Sequence, residues 1–146
     1  MLDENTIMKS LYLLVICLGV GFGLSAQELK MSITGIKQGK GDILIAVFSG
    51  ENGFPSDTKK AVELLRATPV GGKAELVVKN LAAGKYAISL FQDTNGDGIL
   101  NTNLLGIPKE GYGVSNNAFN TFSAPSYKDA SFQFPQVNSI TMVLKY

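Results

Sequence analysis

Leu81-Ala82-Ala83-Gly84-Lys85-Tyr86 opens the reading of this chain. The Leu-x-x-Gly-x-Tyr spacing resembles the tyrosine corner of Greek-key sandwiches, in which the glycine permits a bend and the phenolic hydroxyl bonds back to the loop backbone. Tyr86 also has a reading as a binding aromatic, but an isolated aromatic in a strand is more often core. On both sides of this corner, short runs rich in Val, Ile, Leu, Tyr and Phe are cut by Gly and Asn clusters, which is how strands joined by tight turns look in sequence.

Upstream, Leu29 to Ile36 alternates through Leu29, Met31 and Ile33, and Asp42 to Ser49 carries the unbroken apolar run Ile43 to Phe48 of a central strand. Ala74 to Lys79 and Lys85 to Gln92 flank the corner. Downstream, Ser131 to Phe134 and Ser139 to Tyr146 complete six strands, the last alternating Ile140, Met142 and Leu144 against Thr141, Val143 and Lys145. The expected fold is all-β, an antiparallel Greek-key β-sandwich. Ser56 to Arg66 reads differently. Its capping-type Ser56-Asp57 and its Ala61, Val62, Leu64 and Leu65 at helical spacing predict one short helix crossing a sheet edge, although Val62 and the leucine pair also fit an irregular strand.

After the strand that begins at the corner comes Asp93-Thr94-Asn95-Gly96-Asp97-Gly98-Ile99-Leu100-Asn101. Oxygen-bearing residues at alternate positions before a glycine turn are what a calcium loop requires. Asp93, Asn95, Asp97, the Ile99 carbonyl and Asn101 fill positions one, three, five, seven and nine, and Gly98 fills the sixth. Position twelve is Leu104 rather than a carboxylate, which leaves Glu110 as the nearest acid able to fold back. Turn chemistry accounts for the same residues without a metal, because Asn-Gly and Asp-Gly are turn dipeptides and Asp93 and Asn101 make Asx turns. Further on, Glu110 to Phe119 sets polar groups among glycines, and Tyr112, Asn116 and Asn117 are candidates to meet a glycan or a protein. The alternative is a long ordered loop packed back on the sandwich.

The chain of 146 residues has one cysteine and no histidine. Met8-Lys9-Ser10 followed by the apolar run Leu11 to Leu24 and by Leu24-Ser25-Ala26 reads as a signal peptide over residues 1–26, with Met8 a better start than Met1. The run is short of the roughly 20 residues that span a bilayer. Cys17 lies inside that run behind Ile16, which disfavours a lipid-modified cysteine. Residues 27–146 then form a single exported domain, periplasmic or extracellular, without cysteine and close to neutral. A basic stripe for nucleic acid is absent, as is a basic amphipathic helix for a membrane surface.

Three stretches together resemble a bacterial family, the domain of unknown function 2141. These are Gly84-Lys85-Tyr86, Asp93 to Gly98, and Gly106-Ile107-Pro108-Lys109-Glu110-Gly111-Tyr112-Gly113-Val114-Ser115-Asn116-Asn117. The resemblance spans roughly Ile43 to Tyr146. It implies a secreted or periplasmic domain similar to transthyretin-like or immunoglobulin-like sandwiches, with no assigned activity. The residues favour a non-catalytic binding or structural module with a calcium-stabilised loop. A hydrolase built on Asp93, Asp97 and Glu110, or an envelope subunit packing through a sheet edge, is the alternative. The chain lacks histidine, a cysteine beyond residue 26 and a Gly-x-Ser-x-Gly elbow, which removes the common nucleophilic arrangements.

Overall fold

Apolar side chains on alternate positions, and in one strand on every position, build two sheets around a shared core. The computed structural model describes residues 27–37, 41–120 and 123–146. The expected signal peptide and Cys17 lie outside them. The strands are β1 (Glu28–Thr34), β2 (Asp42–Phe48), β3 (Glu63–Ala67), β4 (Ala74–Lys79), β5 (Gly84–Asp93), β6 (Tyr112–Val114), β7 (Phe132–Phe134) and β8 (Ser139–Val143). One sheet has the order β4-β1-β8; the other runs β3-β2-β5-β6, with β7 paired to the start of β5. The β2-β3 pair lies in one sheet while its sequence neighbours β1 and β4 pair in the other. The chain therefore crosses between layers as a Greek key does.

The core lies between the sheets. Leu29, Met31 and Ile33 of β1 meet Ile43, Ile45 and Val47 of β2, Ile88 and Leu90 of β5, Phe134 of β7 and Met142 of β8. β2 is central, as its continuous apolar run requires, and one end of its other face is also covered. There Ala46 and Phe48 join Ala87, Val114 and Tyr127 in a second cluster. Phe54 packs edge-on against both Phe48 and Tyr127, at centroid distances of 5.4 and 5.9 Å.

Three expectations need correction. Ser56 to Arg66 is not a helix: Asp57 caps a single 3-10 turn, Thr58–Lys60, and β3 follows. Leu65 and Ala67 pack on the core while Leu64 and Arg66 face away. Adjacent leucines imitate a helical stripe because both faces of β3 carry apolar groups. The one α-helical turn among the described residues, α1 (Tyr127–Ala130), instead follows the cap Ser126, whose hydroxyl accepts the Asp129 N–H. The sheets are also not wholly antiparallel, since β8 runs parallel to β1. Finally there are eight strands among the described residues rather than six. β3 is the mistaken helix, and β6 is a three-residue strand inside the supposed long loop.

Tyr86 performs the corner role, its hydroxyl donating to the Ala82 carbonyl at 3.0 Å. On the side of β6 and β8 the sheets are stitched together, because Tyr112 and Lys145 exchange backbone hydrogen bonds of 2.9 Å.

Candidate functional site

β5 ends at Asp93 and delivers the chain into the loop that the sequence singled out. Gly41, at φ +107, lies so close to the Asp93 carbonyl that a Cβ there would sit 1.9 Å from its oxygen. Asp93 is buried, and its two carboxylate oxygens accept the N–H groups of Gly96 and Gly98 at 2.8 and 3.0 Å. Gly98 has φ +75, the left-handed conformation expected at the sixth position.

Glu110 does fold back onto this loop. Buried, it accepts Thr94 N–H at 2.8 Å and the Thr94 hydroxyl at 2.7 Å through one oxygen, and Asn101 N–H at 3.0 Å through the other. It thereby clamps both ends of the loop. Asn95, Asp97 and Asn101 converge on the exposed side: the Asn95 and Asn101 carboxamides donate to one Asp97 oxygen at 2.8 and 3.0 Å. The other Asp97 oxygen accepts Ile99 N–H at 2.8 Å. These donors, Asn101 first, then Ile99 and Asn95, lower the Asp97 pKa below its ordinary 3.8. Among the described residues no three His, Cys, Asp or Glu side chains gather as a metal-binding group.

The second candidate surface separates. Asn116 and Asn117 adopt left-handed backbone, φ +59 and +50. The Asn116 carboxamide donates to the carbonyls of Asp129 and Ser131. Asn117 meets β8 as a strand would, donating to the Thr141 carbonyl and accepting the Val143 N–H. Tyr112 is half-buried, its ring edge-on to Phe119 at 5.6 Å. Tyr112 borders a cavity.

That cavity went unread in the sequence. It is a groove of about 1120 Å³ on the outer face of the β3-β2-β5-β6 sheet. Leu44 and Phe91 form its floor, Leu64 one wall, and Ile99, Leu105 and Ile107 of the loop after β5 the other. Leu64 is 59% and Ile99 65% exposed, so the groove presents large apolar groups to solvent. The signal was available in the alternate outward positions of β2, β3 and β5, but only a correct strand assignment for β3 puts Leu64, paired with Ala46, on the same face as Leu44 and Phe91.

A family model described as "Uncharacterized protein conserved in bacteria (DUF2141)" matches residues 31–141. The chain belongs to this family. The DUF2141 match takes in the corner, the clamped loop and the groove, and extends to β1, upstream of the stretch whose resemblance was read from motifs. No curated protein and no solved structure matches the chain.

Proposed function

We propose that this DUF2141 protein is an exported, non-catalytic binding module whose groove holds an elongated apolar small molecule such as an acyl chain. The observation that carries this reading is the groove itself: its volume slightly exceeds the usual range for a ligand site, and it is lined by Leu44, Leu64, Phe91, Ile99, Leu105 and Ile107. The floor strands β2 and β5 are paired on both sides, so their backbone has no edge to offer a peptide. The hydroxyl of Ser89, which also lines the groove, donates to the Pro55 carbonyl at 2.6 Å. A ligand that asks for few hydrogen bonds suits such a surface. The non-catalytic part of the proposal is supported by Asp93 and Glu110, whose carboxylates are engaged by loop donors.

Titration with a fluorescent fatty acid tests the proposal. Saturable binding of one equivalent is expected, lost in Leu64→Glu and in Ile99→Glu, both exposed enough to leave folding intact. Binding that is unchanged in both variants sinks it.

Calcium at the loop is a second proposal, favoured by the convergence of Asn95, Asp97 and Asn101. Turning each carboxamide over replaces a donor nitrogen with an acceptor oxygen, which with Asp97 gives a cluster of oxygens of low charge. Asp93 and Glu110 would then act as the scaffold of the site.

A further inference from the structure

The loop after β5 carries a small hairpin, residues 102–108, that is closed at its base by the bridge between Thr102 and Pro108. Its tip is Asn103-Leu104-Leu105-Gly106-Ile107. Leu104 is 106% exposed and Leu105 84%, so among the described residues nothing covers the first and little covers the second. Packing cannot account for Leu104, and water does not reward it. Four hydrogen bonds within the tip fix its shape. Asn103 N–H donates to the Ile107 carbonyl at 2.8 Å, and Gly106 N–H to the Asn103 carbonyl at 3.0 Å. The Asn103 side-chain oxygen accepts the N–H groups of Leu105 and Ile107 at 2.9 and 3.0 Å.

We infer that this hairpin docks the protein on a lipid bilayer, with Leu104 and Leu105 entering the boundary between headgroups and acyl chains. Two observations select lipid over protein. The side chains at the tip are aliphatic and protrude, whereas protein contacts draw their energy chiefly from Trp, Tyr and Arg seated in pockets. Lys109, exposed at the base beyond Pro108, stands where an ammonium on a flexible stem reaches headgroup phosphates. Leu104 separates this inference from a ligand in the groove, because it lies outside the groove lining, whereas Leu105 belongs to both.

Co-sedimentation with vesicles of phosphatidylcholine and phosphatidylglycerol, three to one, tests it. Wild type and variants carry the same N-terminus, so the difference between them reads the hairpin alone. Leu104→Asp should lower the bound fraction by about tenfold or more in partition coefficient, with fatty-acid binding kept. Leu64→Glu should do the reverse, keeping vesicle binding and losing the fatty acid. Equal sedimentation of wild type and Leu104→Asp overturns the inference. So does self-association of the wild type that Leu104→Asp abolishes without any change at the vesicle, which would assign the tip to a contact between copies.

Discussion

Ser115 shows how much one hydroxyl can hold. It directly follows β6 and is fully buried; its Oγ accepts the Ile88 N–H at 2.9 Å and donates to the Ala130 carbonyl. The gap between β6 and β7 along β5 is thereby closed by a side chain instead of a strand. Ser115→Ala should cost about 2–5 kcal/mol, since it strands a buried donor and a buried acceptor together. A lower urea midpoint at unchanged m-value is the expected readout; a shift below about 0.5 kcal/mol would mean that water replaces the hydroxyl. Asp97 is the opposite case, fully exposed and tuned by its neighbours. Because its folded pKa lies below 3.8, its contribution to the loop is present above that pH and is lost as the pH falls through the folded value. In an NMR titration the Ile99 amide should move with a midpoint below 3.8 and stay still in Asp97→Asn. A midpoint at or above 3.8 contradicts that.

At the scale of elements, the loop between β5 and β6 is ordered by acids that point inward to backbone. Glu110→Gln replaces one of two acceptor oxygens by a donor that must face either Thr94 or Asn101. We expect a loss of about 1–3 kcal/mol, visible as a melting temperature several degrees lower. No change would show that the clamp is dispensable. If calcium orders the same loop, millimolar calcium should raise the melting temperature relative to chelator, and Asp97→Ala should remove the difference. An unchanged melting temperature reduces Asn95, Asp97 and Asn101 to turn residues. Much of this loop was legible because its residue types are constrained by backbone geometry: Gly98 must turn left-handed and Asp93 must meet amides. What was illegible depended on pairing. Leu64 beside Leu65 satisfies helical and strand patterns equally, and only the register of β3 on β2 separates them. Asn116 and Asn117 looked like surface polarity because their partners, Asp129, Ser131, Thr141 and Val143, come from distant parts of the chain.

Across the whole molecule, the outer face of the larger sheet is divided. At one end Phe54 and Tyr127 seal Phe48 into the second cluster; at the other Leu44, Phe91 and Leu64 are left open beneath the hairpin that bears Leu105 and Ile107. Both halves use outward apolar residues of the same strands, so the difference lies in the covering segments and not in the sheet. An open apolar groove makes the stability of the entire domain depend on whatever fills it. A fatty acid at about 100 times its dissociation constant should stabilise the fold by about 2.7 kcal/mol. Divided by the unfolding entropy of a domain of this size, that is a rise in melting temperature of about 10 °C. The shift should grow with the logarithm of ligand concentration and collapse in Leu64→Glu, whose own melting temperature without ligand should stay within a few degrees of wild type because the side chain is already more than half exposed. A ligand-induced rise that survives in Leu64→Glu would move the binding site off this face, and the open end of the sheet would then need a protein partner to explain it.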